Sequence, residues 1–209
     1  GLRPWVKNLD IKSQATTFIE DVSLIYEQPK TELLRGGEYL AVLPDASREN
    51  FALLEKQNSE EILWLYNSGN NKFTQLYKSV GKKLTLIDWS NSGKKLLFKE
   101  GERFLTIHKD LPGFTNDLQK LSKIQFNQVA WHSQNDNLLY GLKGAQLLSI
   151  NLLENTITAV DKKKHYAFFP YKNGVLSLVK DNQGFFLKYS LPEENRIIFS
   201  LPQRNDYAF

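Results

Sequence analysis

Three histidines are the first places to look for acid–base or metal chemistry, and their spacing supports neither. His108 and His132 fall on different repeats with no carboxylate at ligand spacing, and His165 follows the run Lys162-Lys163-Lys164. No His-x-x-x-His pair occurs that would set two imidazoles on one helix face. A Gly-x-Ser-x-Gly nucleophile elbow is also missing. Ser92-Gly93-Lys94 lacks the upstream glycine of a phosphate-cradling loop and leads into a strand, so it is no such loop. In Glu60-Glu61 and Glu193-Glu194 the acids are adjacent; neighbours on a strand point to opposite faces, which argues against a working dyad. Asn135-Asp136-Asn137 faintly echoes a calcium loop and reads better as turn chemistry. The sequence therefore predicts no catalytic residue, no metal site and no cofactor.

Binding chemistry has better candidates in the aromatics. Trp64, Tyr66, Tyr77, Phe114, Tyr171 and Tyr207 could each present a ring. Rings on strands usually enter the core. Phe114 closes the turn Leu111-Pro112-Gly113-Phe114 in a long connection, and Tyr171 adjoins a turn. Turn residues have less core to enter, so Phe114 and Tyr171 are the predicted contact residues.

The elements that must position these residues repeat. Leu63, Leu105, Leu147 and Phe186 lie about 42, 42 and 39 residues apart, each in a short apolar strand. Trp89, Trp131 and Phe169 precede their partners by about 16, 16 and 17 residues. These seven residues are the predicted structural anchors. A period near forty with several short strands per unit is the signature of β-propeller blades, since one small sheet cannot bury both faces alone. The first blade reads Tyr39–Leu43, Phe51–Leu54, Ile62–Tyr66 and Phe73–Tyr77, with Pro44 to Asn50 as an insertion that displaces its tryptophan. The second reads Leu84–Trp89, Lys95–Phe98, Arg103–Ile107 and Leu118–Leu121, where helical periodicity also comes nearest to showing. The third runs through Gln128–Trp131, Asn137–Tyr140, Ala145–Ile150 and Thr156–Val160. The fourth takes Tyr166–Phe169, Val175–Val179, Phe185–Tyr189 and Arg196–Ser200. The fold class expected is all-β: a partial propeller of about four four-stranded blades, preceded by a short β-hairpin remnant of a small β domain.

That remnant occupies residues 1–28, with strands over Trp5–Ile11 and Thr16–Leu24; the blades occupy 29–209. The chain has 209 residues, opens on Gly and contains no Met, which reads as a piece of a longer protein. Asn205-Asp206-Tyr207-Ala208-Phe209 echoes the opening of the fourth blade, as though a further blade began there. Cysteine is absent, excluding disulfides and thiolate metal sites. No apolar stretch approaches the roughly 20 residues of a membrane span. The net charge is +4, dispersed as lysine pairs such as Lys82-Lys83 and Lys94-Lys95 in turns. Nucleic-acid binding wants such charge gathered on one face among stacking aromatics, so it is not expected.

Trp89-Ser90-Asn91-Ser92-Gly93-Lys94-Lys95-Leu96 resembles the blade signature of TolB-type and WD-like propellers, in which an aromatic strand end enters a Ser-Pro-Asp-Gly-Lys turn. Gly93 supplies the left-handed conformation that such a turn requires. His132-Ser133-Gln134-Asn135-Asp136-Asn137 and Pro170-Tyr171-Lys172-Asn173-Gly174 are diverged copies. Gly1-Leu2-Arg3-Pro4-Trp5-Val6-Lys7 with Thr17–Leu24 resembles the closing half of a PEGA domain, a small all-β module of microbial surface proteins. The pairing implies an extracytoplasmic, cell-envelope location in a membrane-anchored parent. The function expected is a non-enzymatic binding or scaffold protein whose propeller engages a protein or glycan. The alternatives are the propeller portion of a larger extracytoplasmic serine hydrolase or peptidase, or an intracellular WD-like adaptor.

Overall fold

The computed structural model describes residues 35–182, 184–191 and 195–200. The hairpin expected in residues 1–28, like Glu193-Glu194 and Tyr207, lies outside the described residues. The described strands form four four-stranded antiparallel sheets, each a meander of consecutive strands. The first contains β1 (Glu38–Pro44), β2 (Asn50–Gln57), β3 (Glu60–Asn67) and β4 (Lys72–Val80). The second contains β5 (Leu84–Trp89), β6 (Lys95–Glu100), β7 (Arg103–His108) and β8 (Thr115–Asp117), followed by the one described helix, α1 (Leu118–Ser122). The third contains β9 (Gln128–Trp131), β10 (Leu138–Lys143), β11 (Gln146–Asn151) and β12 (Thr156–Ala159). The fourth contains β13 (Lys164–Tyr171), β14 (Gly174–Asp181), β15 (Gly184–Ser190) and β16 (Asn195–Ser200). These are four propeller blades, whose first strands β1, β5, β9 and β13 touch in succession. No described helix is long and apolar enough to cross a membrane.

The middle strands carry apolar side chains on both faces because each inner sheet is covered twice. Leu96 packs with Trp89 against Ala52, Leu54 and Leu63 of the first sheet, while its neighbour Leu97 joins Trp131 and Leu139 of the third. In the third sheet, Leu139 faces backward and Tyr140 faces forward onto Phe168 and Val175 of the fourth. A strand buried on both faces reads as an unbroken apolar run, as at Leu96-Leu97-Phe98 and Leu138-Leu139-Tyr140. Leu63, Leu105, Leu147 and Phe186 sit on the third strands of their sheets, all buried.

Three sequence expectations need correction. The residues after Pro44 are no insertion: Asp45 N–H donates to Asn50 O just as Ser90 N–H donates to Lys95 O, so the first loop matches the second in length. The tryptophan is missing there because Pro44 holds its place, pairing with Phe51 as Trp89 pairs with Leu96. The last strand of the second sheet is Thr115–Asp117, and Leu118–Ser122 is helical. Asp117 decides this, since its carboxylate accepts from the amides of Gln119 and Lys120 and caps a helix start. Finally, Phe169 is no buried anchor. It is 66% exposed, and its neighbour Phe168 is buried instead, 6% exposed.

The cause is register. The fourth sheet's first hairpin closes on Lys172-Asn173, with Tyr171 paired to Gly174 and Pro170 to Val175. Pro170, not Phe169, lies sixteen residues before Phe186, the spacing that places Trp89 and Trp131. A slip of one residue turns a side chain to the other face of a sheet. Phe169 therefore joins Leu176 and Tyr189, its cross-strand neighbours, on the face turned away from the third sheet.

Candidate functional site

The ends of the four innermost strands enclose a cavity of about 490 Å³. Equivalent positions from each blade line it: Pro44, Trp89, Trp131 and Pro170. Trp89 Nε1–H donates to Leu43 O at 3.0 Å, and Trp131 Nε1–H donates to Asp88 O at 3.2 Å, so each indole ties its sheet to the one before. Proline offers no such donor at the first and fourth positions.

The residues after these anchors form the rim. Asp45, Ser90 and His132 each accept a backbone amide of their own loop: Asn50 N, Lys95 N and Gln134 N respectively. Three residue types perform one structural task, which gives the histidine beside the cavity a loop-bracing contact. Burial pushes the Asp45 carboxyl up, but donation from Asn50, Ser47 and the loop amides outweighs it and holds the group below its ordinary value. The loops also lean on one another. Gly93 closes on Asp45, Ser92 N–H donates to Asp136 Oδ1 at 3.1 Å, and Ser133 Oγ–H donates to Lys172 O.

Asp88 is different. Its carboxylate is exposed at the cavity wall, and the surrounding protein still withdraws enough water to raise its pKa above the ordinary value, against donation from Trp89 N–H. Phe169 contributes an uncovered ring, and Gln128 and Asn91 add amides. The cavity thus offers apolar walls with a few polar groups, the composition of a binding site. Its hydroxyls are already committed, Ser90 to Lys95 N–H and Ser133 to the carbonyl of Lys172.

The two predicted contact residues lie elsewhere on the same end. Phe114 is 78% exposed in the loop before β8, and Tyr171 is 43% exposed with its ring edge-on to Tyr189 at 6.1 Å. They stand two sheets apart, and neither lines the cavity. Sequence reasoning missed Asp88 and the exposure of Phe169; the one-residue excess in the fourth spacing was the available signal.

The remaining histidines hydrogen-bond within the described residues. His108 Nδ1 accepts from Asp110 N–H. His165 Nε2 lies 2.8 Å from Asp161 Oδ1, and Lys188 pairs with the other oxygen of that carboxylate, between the third and fourth sheets. Burial raises the Asp161 pKa, but the bonds from Lys188, His165 and Lys163 N–H prevail and bring it to about 2. Among the described residues, no group of three or more His, Cys, Asp or Glu could hold a metal ion.

No family model matches this chain, and no curated protein does. Solved structures do match. An uncharacterized protein of Listeria monocytogenes superposes with a TM-score of 0.57 at 12% identity, over 78% of this chain and 54% of its own. The structure of putative TolB from Agrobacterium tumefaciens gives 0.51 at 11% identity, over 75% and 63%. The β-propeller domain of the Trilobed protease from Pyrococcus furiosus gives 0.52 at 10% identity, over 79% and 58%. The fold is a TolB-like β-propeller. The chain spans less than two thirds of each of these structures.

Proposed function

We propose that this propeller is a non-enzymatic binding platform of the cell envelope, which receives part of a protein or glycan ligand in the cavity between its innermost strands. The observation that carries the reading is a cavity built jointly by four blades whose lining includes both the exposed Phe169 ring and the Asp88 carboxylate. An aromatic face with a nearby carboxylate and amides can hold a sugar ring or a basic peptide side chain, and the committed serines leave no activated nucleophile there. Phe114 and Tyr171 are outlying contacts for a ligand broad enough to overlap that end. The PEGA-like pattern of residues 1–28 and the TolB-like blades support an extracytoplasmic home.

Likeness to the propeller domain of a protease favours one second reading, in which these blades gate a catalytic domain of the parent protein. The test is capture from envelope extracts and on glycan arrays with the wild-type chain, Phe169→Ala and Asp88→Asn. Loss of one shared ligand in both variants, with unchanged folding, supports the platform. Retention of every captured ligand by both removes the cavity as the site. A hydrolase signature in the parent gene would assign the blades to gating.

A further inference from the structure

The topology sorts the loops onto two ends. Connections between first and second and between third and fourth strands share the cavity end, while second-to-third hairpins and blade-to-blade connections share the other. Lysines that the sequence scatters become neighbours on that second end. Lys82 and Lys83 occupy the connection from the first sheet to the second, and Lys120 and Lys123 the connection from the second to the third. Lys143 sits in the β10–β11 hairpin, facing Lys162 and Lys164 across a groove of about 350 Å³. All seven are exposed, and none has a carboxylate partner among the described residues.

The acids described at this end are already engaged. Glu60 pairs with Lys78 at 2.7 Å, and Glu102 with Lys99 at 3.5 Å. Glu100 and Asp117 both pair with Arg103, and Asp161 pairs with Lys188. Glu61 accepts from Leu84 N–H. Glu61 keeps its charge and Arg103 answers two carboxylates at once, but the seven lysines still outnumber these uncompensated acids and leave the end net positive. On the cavity end Arg48, Lys72, Lys94, Lys95, Lys109 and Lys172 are matched by Asp45, Glu49, Asp88, Asp110, Asp136 and Glu154, so that end is close to balanced.

Apolar side chains are interleaved with the lysines. Val80 is exposed beside Lys82, Leu121 lies between Lys120 and Lys123, and Tyr166 follows Lys164. Nucleic acid would call for free stacking rings or arginine forks. Here Arg103 is engaged, and the Tyr166 ring packs edge-on against Phe185 at 5.3 Å. Lysine clusters with apolar neighbours suit anionic headgroups with shallow contact to the acyl boundary.

We propose that this end docks on an anionic phospholipid surface, leaving the cavity end facing away from it. The inference does not depend on what the cavity binds. The test is co-sedimentation of the 209-residue chain with phosphatidylcholine vesicles, with and without phosphatidylglycerol. Binding is expected only to the anionic vesicles and should weaken with added salt. Each lysine removed should weaken it about fivefold, so Lys162→Ala with Lys164→Ala loses about 25-fold. Lys72→Ala with Lys94→Ala, on the opposite end, should bind as the wild type does. Equal sedimentation with neutral vesicles overturns the proposal, as does equal loss in the opposite-end variant. Displacement by inorganic phosphate at matched ionic strength would make this a phosphate groove instead. Tighter binding to duplex DNA would make it a nucleic-acid face. The wild-type comparison of the two vesicles decides the matter even if a variant fails to fold.

Discussion

The indole N–H of Trp131 donates to the carbonyl oxygen of Asp88 across 3.2 Å, from the innermost strand of one sheet to that of the sheet before. The ring is buried at the blade interface and the bond is partly buried. Trp131→Phe keeps an aromatic and deletes the donor; it should cost about 1–2 kcal/mol, one hydrogen bond plus a small packing loss. Trp131→Ala should cost about 3–5 kcal/mol. Urea titration followed by circular dichroism measures both. A Trp131→Phe variant as stable as the wild type would show that the bond contributes nothing beyond the ring.

Phe168 and Phe169 should differ as sharply as neighbours can. Phe168 packs with Tyr140, Leu142 and Val175 between the third and fourth sheets, so Phe168→Ala should cost about 3–5 kcal/mol. Phe169 is uncovered, and Phe169→Ala should change stability by no more than about 0.5 kcal/mol. Thermal melts of the two variants side by side give the comparison. A reversed order would place Phe169 back at the blade interface.

These residues also mark how far the sequence is legible. Two-sided burial writes itself as consecutive apolar residues, so Leu96-Leu97-Phe98 and its repeats announce stacked sheets directly. The spacing from Trp89 to Leu105 and from Trp131 to Leu147 is likewise set by strand length and hairpin geometry. Choosing Phe169 over Pro170 put residue type ahead of that spacing, and one residue was enough to reverse the face. The strand at Thr115–Asp117 is hidden because three residues carry no readable alternation, whereas the Asp117 cap is a local signal that could have been read. The cavity was not legible at all. It gathers Pro44, Asp88, Trp131 and Phe169 from four separate sheets, and no local pattern encodes that convergence.

Asp161 should govern part of the acid stability. Its folded pKa of about 2 lies below the ordinary value of 3.8, because Lys188, His165 and Lys163 N–H overcome the effect of burial. A depressed carboxyl stabilises the fold above its unfolded pKa, and that contribution disappears as pH falls through the folded pKa. The contribution is about 2 kcal/mol at neutral pH. Asp161→Asn also leaves Lys188 buried beside a neutral partner, so the total cost near pH 7 should reach about 3–5 kcal/mol. The gap between variant and wild type should then shrink as pH drops from 3.8 through about 2, where the wild-type carboxyl is half protonated, and further below it. Denaturation midpoints across that window measure it; a gap that stays constant would remove Asp161 from the acid response.

Gly93 and Gly81 separate backbone strain from a steric contact. Both have φ of +68°, a conformation that costs an L side chain about 1–2 kcal/mol. A Cβ on Gly81 would meet nothing within 4 Å, whereas one on Gly93 would come 2.8 Å from Asp45 Oδ2. Asp45 cannot move freely, since Ser47 and both the amide and side chain of Asn50 hold its carboxylate. Gly81→Ala should therefore show the backbone cost alone, and Gly93→Ala should exceed it by about 1–3 kcal/mol as the added methyl crowds a packed loop junction. Urea midpoints of the pair measure that excess. Asp45→Ala in the Gly93→Ala background should recover part of it, because the obstructing carboxylate is gone. Equal costs at the two glycines would mean that the first and second loops do not press on each other at the cavity rim.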